Sequence, residues 1–498
     1  MLNNFGGSLK KNNNILGIFF VFHCLIWSLL PMLRNLLPVD ALEVIYWGNL
    51  TDFGTNKHPP IAGWIGAFFH NLLPYDFTIY LLGQICVIVG FYFLYKLAKI
   101  FLTEKQSIVS ILLMEGCLTY SYMSGFDGFN PNFLMFVFLP AITYYLYKCI
   151  DENKLYYWVI LGICTGLAFL SKYQFVLLFL SLLIYLLIFK RRVFKEKGIY
   201  IAFVLSLVIF LPHLMWLFNH DFFSFLYFSN CEENYLTAYQ GWTKYIQAPF
   251  MFLLLNFVMV LGTLIMFGIL YLYASKNNLK IEKSLEKEKI AYLIFAGILP
   301  FILQVLPACF TGAKIVATWG YPLLYMTGIL LFVFIPIEIK EKEISFCVKM
   351  VSIVALIIFT IYSSIYIVEK NFHSRLEYAV ISKDLKSIYY QKTKRPLEYL
   401  CGYIEYTLPV SIYDKTHPKT ILNTYGKENP WINIRDVKKN GIMILSKDEE
   451  SINEYKKNIL YFLPKDYKSE IYSHEIIIHN WLKQTRKRFL YYSIIYPE

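Results

Sequence analysis

Charge is what this sequence has little of. Asp, Glu, Lys and Arg make up 16% of its 498 residues, against about a quarter in ordinary soluble chains, which argues against a fully water-facing fold. Hydrophobic residues reach 57%, so much of the surface needs an apolar solvent around it. The nine cysteines include no CxxC pair and no metal-type spacing. Cys24, Cys86, Cys117, Cys149, Cys164 and Cys347 fall inside apolar runs, where a thiol is a small packing group. Cys231, Cys309 and Cys401 lie outside those runs and leave room for one external disulfide. No small-residue cleavage site follows the first apolar run, so that run is expected to be a retained helix rather than a removed signal. The net charge of +12 does not imply nucleic acid. Lys and Arg are scattered over short connections and the last 125 or so residues, not gathered on one soluble face.

What is present in quantity is long apolar stretches rich in Phe (42) and Tyr (41). A membrane-spanning helix needs about 20 mostly apolar residues. Candidates lie at 15–33, 77–99, 106–124, 131–149, 155–171, 174–190, 198–217, 247–274, 290–308, 316–335 and 346–368. The expected architecture is therefore a multi-pass α-helical membrane protein with about eleven spans. Lys10 and Lys11, Lys96 to Lys105, Lys148 and Lys154, KRRVFKEK at 190–197, Lys276 to Lys289, and Lys340 with Lys342 fall on alternate connections. The positive-inside rule makes that set cytoplasmic. The N-terminus is then inside, and an odd number of spans puts the C-terminus outside. From about residue 373 the apolar runs shorten to strand length (PVSIYD, GIMILS, EIIIHN, FLYYSIIY), with helical segments at 374–391 and 450–462. The expected division is a transmembrane domain, 1–372, and a small α/β extracytoplasmic domain, 373–498. Lys483, Arg486, Lys487 and Arg488 form a basic cluster there, read either as a solvated surface or as a contact for lipid phosphates.

The external connections hold the candidate chemistry. In the first, 34–76, Asp40 and Glu43 are three residues apart and share one helix face. They open a segment (Leu42, Ile45, Tyr46, Trp47) of the kind that lies in the membrane interface. A carboxylate partly shielded there can act as a general base. Lys57 and His58 can meet a phosphate, with Glu43 either orienting an acceptor or holding Lys57. Pro59 and Pro60 fix the backbone, and Trp64 fits an interfacial anchor. Further candidates are Asp127, Asn130 and Asn132 in SGFDGFNPNFL, Lys172 and Tyr173 in LAFLSKYQF, His213 and Trp216 in LPHLMW, and Lys314 with Trp319 in FTGAKIVATWGYP. Each has a plain structural reading, such as a helix cap, a turn or a snorkelling lysine. Together they would line one outward, cationic cavity suited to a lipid phosphate.

On these residues the sequence resembles the bacterial family 39-type glycosyltransferases of the GT-C fold, relatives of protein O-mannosyltransferases and lipid A aminoarabinose transferases. The matching pieces are Asp40, Glu43, Trp47 and Gly48, then Lys57, His58, Pro59, Pro60 and Trp64; Phe129, Asn130 and Asn132; GLAFLSKY at 166–173; and Pro212, His213 and Trp216. PLEYLCGYIEYTLPVSIYD and NPWINIRDVKKNGIMIL resemble the extramembrane domain of that branch. The resemblance implies transfer of a sugar from a polyprenyl-phosphate donor to a lipid-linked glycan or protein acceptor outside a bacterial cytoplasmic membrane. It implies Asp40 as catalytic base, with Glu43 beside it. Lys57, His58, Lys172 and Lys314 would steady the leaving phosphate, and Trp47, Trp64, Asp127, Asn130, Asn132, Tyr173, His213 and Trp216 would contact substrate. No cofactor is called for, and a divalent metal is left open. The chain departs from mannosyltransferase relatives by having Asn132 where they often carry an acid. A transporter of lipid-linked saccharides is the alternative, but no internal repeat supports it.

Overall fold

The computed structural model describes residues 2–225, 241–277, 280–312, 315–368, 376–422, 429–459, 469–479 and 481–498. The chain forms two compact units, one of Met1–Leu30, Tyr80–Met215 and Phe228–Ile361, the other of Pro31–Ile79, Trp216–Tyr227 and Tyr362–Glu498. The expected domain boundary at 372/373 lies outside the described residues.

Long apolar runs give long helices, because a backbone in hydrocarbon must satisfy its own hydrogen bonds. Among the described residues, six helical stretches are long and apolar enough to cross a bilayer: Asn14–Leu33, Asp76–Phe101, Pro131–Glu152, Lys197–Asn219, Gly241–Ser275 and Glu341–Ile367. A pair bent by 50°, Lys287–Gly297 and Leu299–Thr311, passes the same test jointly. The protein is thus a multi-pass membrane protein, with six or seven such spans among the described residues. The other expected segments are shorter or broken. Leu155–Phe169 and Phe175–Phe189 have 15 residues each. The segment expected at 106–124 is not one helix: it runs as Glu104–Leu112, a 3-10 turn Leu113–Gly116 and a π turn Thr119–Met123. Gly116 sits there against the backbone of Gly262, where a Cβ at Gly262 would lie 2.2 Å from the Gly116 carbonyl oxygen.

Helices are labelled α1 Leu2–Leu29, α2 Val39–Leu50, α3 Ile61–Leu72, α4 Asp76–Phe101, α5 Glu104–Leu112, α6 Ser124–Asp127, α7 Pro131–Glu152, α8 Leu155–Phe169, α9 Phe175–Phe189 and α10 Lys197–Asn219. In the second unit, α2 and α3 come from the first loop and pack through glycine. A Cβ on Gly48 would lie 2.0 Å from the Gly63 carbonyl oxygen, so the two backbones touch. Ala41 to Gly48 are all buried, so α2 is a packed helix and not the interfacial amphipathic segment expected. A five-stranded sheet in the same unit has the order β2-β1-β3-β5-β4, with β1 Tyr399–Gly402, β2 Lys419–Ile421, β3 Ile442–Ser446, β4 Ser469–His479 and β5 Thr485–Ile495. β1 pairs in parallel with β2 and β3, and β5 runs antiparallel to β3 and β4. Three of the four expected strand runs fall on β3, β4 and β5. PVSIYD does not: it ends the helix Ile404–Tyr413. Around its Pro409, hydroxyls of Ser382 and Ser411 bond to backbone carbonyls of Val410 and Pro418, and Leu408, Val410 and Ile412 are buried. Packing overrides the strand propensity there. Cys309 and Cys401 are free thiols, so no disulfide joins them; Cys231 lies outside the described residues.

The first loop is tied to the sheet by Tyr46. Its hydroxyl donates to the Thr420 carbonyl at 3.0 Å and accepts from the Thr420 amide at 2.7 Å. Trp431 meets the Tyr46 ring edge-on at 6.2 Å and donates to the same carbonyl at 3.1 Å. Tyr413 donates to Asp76 at 2.8 Å, closing the other end of the loop. Tyr46→Phe leaves the buried Thr420 amide without its acceptor, a cost of about 1–3 kcal/mol. The expected result is a lower melting temperature in detergent, measured against Tyr390→Phe at an exposed site; equal melting of the two variants would remove the tie.

Candidate active site

α2 begins at Val39, and Asp40 and Glu43 project from its first turns toward the same partner. Lys57 Nζ lies 2.7 Å from Glu43 Oε2 and 3.8 Å from Asp40 Oδ1. The loop carrying Lys57 is shaped by Thr55, whose hydroxyl accepts from the amides of Lys57 and His58 and donates to the His58 carbonyl. Ser224 donates to the Thr55 carbonyl at 2.6 Å. Gly54 lies against Trp216, where a Cβ would sit 2.2 Å from the indole. Pro60 then sits at the N-cap of α3.

The two carboxylates are not equivalent. Glu43 is 8% exposed and Asp40 57%. Burial raises the Glu43 pKa above its ordinary 4.5, with Lys57 opposing and Asp40 adding to the rise. Glu43 is therefore the shielded acid, holding Lys57, while Asp40 faces solvent. Of the two carboxylates, the shielded one is Glu43 and not the expected base, Asp40. Lys57 is also engaged by carboxylates, so this part of the site is not the cationic surface expected of it. Trp47 is buried with the His58 ring edge-on at 5.7 Å. Trp64 donates to the Asp52 carbonyl at 3.1 Å and meets Phe53, a structural bond in place of a free anchor. Trp216 is buried and stacked on His220 at 4.3 Å.

The helical unit holds a second group of the expected residues. Gly128 turns the chain with φ 61°, and Asn130 caps α7 by accepting from the Asn132 amide at 2.9 Å. Asn130 is thus a cap, as its structural reading held. Asn132 instead accepts from the buried Lys172 Nζ. Asp127, Asn130, Asn132 and Tyr321 line one cleft. Tyr173 lies 2.9 Å from His213 Nε2, the rings stacked at 5.7 Å, and His213 is fully buried. Lys314 lies outside the described residues. Among the described residues, no three His, Cys, Asp or Glu side chains gather as a metal site.

One polar cluster was not singled out from the sequence. Glu115, in the broken segment after α5, accepts from Trp27 at 2.9 Å and lies 2.6 Å from His23 Nδ1, all three buried. An acid inside the apolar run 106–124 was the available signal.

Comparison with known proteins agrees with the resemblance read from the motifs. A family model described as dolichyl-phosphate-mannose-protein mannosyltransferase matches residues 57–216, from Lys57 to Trp216. The lipopolysaccharide core galacturonosyltransferase RgtA of Rhizobium johnstonii is 24% identical over 42% of this chain and 42% of its own length. The lipid A galacturonosyltransferase RgtD of the same organism is 24% identical over 37% of this chain and 39% of its own. The match thus spans less than half the length of these relatives. The crystal structure of ArnT from Cupriavidus metallidurans bound to undecaprenyl phosphate superposes with TM-score 0.59 at 13% identity, covering 95% of this chain and 97% of that one. Its apo form gives 0.57, covering 96% and 97%. The chain has the ArnT-type GT-C fold.

The raised Glu43 pKa has a signed consequence. The folded state binds this proton more tightly than the unfolded chain, so Glu43 makes stability fall as pH rises from 4.5 through the raised value. Glu43→Gln should flatten that part of the melting temperature against pH curve. An unchanged slope would show that Glu43 does not titrate in this way.

Proposed function

We propose that this protein transfers a sugar from a polyprenyl-phosphate donor to a lipid A or lipopolysaccharide acceptor on the outer side of a bacterial cytoplasmic membrane. The observation that carries the reading is the pairing of an exposed Asp40 with a half-buried Lys57 held by the buried Glu43 at the head of the first loop, in a chain with the ArnT fold. The donor class is suggested by the undecaprenyl phosphate bound to ArnT, the acceptor by the names of RgtA and RgtD.

In this mechanism Asp40 accepts the proton of an acceptor hydroxyl as its oxygen attacks the anomeric carbon. The bond from that carbon to the phosphate oxygen breaks, and the electron pair leaves on polyprenyl phosphate. One displacement inverts the anomeric centre. Lys57, fixed by Glu43, orients Asp40, so Glu43 is a positioning residue. Lys172, steadied by Asn132, offers the cation for the departing phosphate, where fixed charge is most effective. His58 and Lys314 are reserve donors to that phosphate, and Asp127 lies in the Asn132 cleft as an acceptor contact. With lysines in this role the step needs no metal. The topology that goes with the reading counts α8, α9 and the broken segments as further crossings, about eleven in all, with the N-terminus cytoplasmic and the C-terminal sheet outside.

The test reconstitutes the protein in vesicles with a polyprenyl-phosphate sugar and a lipid A-type acceptor. Polyprenyl phosphate release should match acceptor mass gain, survive a chelator, and fall about 10²–10³-fold in Lys172→Met. Donor crossing the bilayer with no acceptor gaining mass would assign the protein to transport.

A further inference from the structure

A groove of about 430 Å³ follows α8, α9 and α10 in the helical unit. Its walls are almost entirely carbon, from Leu161, Phe179, Leu182 and Phe203, with Thr165, Tyr200 and Ser206 the hydroxyls among its lining. The Ser206 hydroxyl is already bonded to the Phe203 carbonyl at 2.8 Å. Along one side α8 and α10 meet with little between them. A Cβ on Gly162 would lie 2.6 Å from the Ala202 carbonyl oxygen, and one on Gly166 2.8 Å from Ile209 Cβ. The groove is the space beside that seam, and Phe179 and Phe203 keep 42% and 58% of their surface open to the surrounding lipid.

The groove shares Trp158 with a second cavity of about 520 Å³, lined by Asn153, Lys190, Arg191, Arg192 and Glu196 among others. Here the groups differ in how far they are committed. The Trp158 indole donates to Asn153 at 3.0 Å, Asn153 donates to Glu196 at 2.8 Å, and Lys190 pairs with Glu288. Arg191 uses its Nε on the Leu187 carbonyl at 2.6 Å. Arg191 and Arg192 are exposed, and neither is in an ion pair among the described residues. An apolar channel thus ends at two exposed guanidinium groups that are in no ion pair among the described residues, a shape and charge order that match a lipid with an anionic head. Guanidinium forks suit a phosphate diester.

We infer that this is a binding site for one anionic phospholipid, with an acyl chain along the α8–α10 seam and its phosphate on Arg191 and Arg192. The basic end belongs to the connections that the positive-inside rule places in the cytoplasmic leaflet, where basic pockets between helices take anionic heads. The occupant is therefore a bilayer phospholipid and not the sugar donor.

The test purifies wild type, Arg191→Gln/Arg192→Gln and the groove-filling Thr165→Phe, checks each for an unchanged elution volume and melting temperature, and exchanges them into nanodiscs of phosphatidylcholine with and without phosphatidylglycerol. Native mass spectrometry of the released protein should show one phosphatidylglycerol retained by wild type in preference to phosphatidylcholine. The double variant should lose about fivefold in retention per charge. Thr165→Phe, which leaves the arginines intact, should lose it too. Equal retention of both lipids, or retention unaffected in either variant, would overturn the proposal. Recovery of a polyprenyl phosphate in place of the phospholipid would also overturn it and assign the groove to the donor.

Discussion

Everything proposed for the first loop depends on one buried hydroxyl. Tyr46 bonds to both the amide and the carbonyl of Thr420, so a helix near the N-terminus is fixed to a strand 374 residues later. Without such a tie, a loop of two short helices between long apolar segments would have little to order it, since short isolated helices are marginal in water. With it, α2 is buried from Ala41 to Gly48 and its exposed end, at Asp40, is held in place. The sheet unit thereby acquires a role that composition did not suggest: it braces the loop that carries the proposed base.

The same burial divides the labour between two carboxylates one helical turn apart. Inside the packed face, Glu43 loses solvation, which raises its pKa, and Lys57 opposes that rise. Asp40, one turn earlier, keeps its solvent contact and feels Lys57 at 3.8 Å. An acid that must take a proton from a bulky acceptor has to be reachable, whereas one that fixes a lysine need not be. Position on one short helix is enough to separate the roles.

Much of the helical architecture was legible because apolar length is a direct physical demand of the bilayer. The runs at 77–99, 131–149 and 198–217 correspond to helices Asp76–Phe101, Pro131–Glu152 and Lys197–Asn219. The break within 106–124 was not legible, since hydropathy does not report backbone unwinding, although Glu115 marked it. In the first loop, the shared face of Asp40 and Glu43 could be read from spacing, while the hold of Glu43 on Lys57 was one of two roles that sequence left open. The burial of α2 could not, because its partners Thr420 and Trp431 are remote in sequence. PVSIYD shows the same limit: β-branched composition favoured a strand, and contacts from Ser382 and Pro418 made it the end of a helix.

The most direct measurement of the central claim compares Asp40→Asn with wild type in reconstituted vesicles, following both sugar transfer and binding of polyprenyl phosphate. The account predicts a fall in turnover of about 10²–10⁴-fold with binding and melting temperature unchanged. Turnover within a few-fold of wild type, or a loss fully explained by weaker binding, would contradict Asp40 as the base.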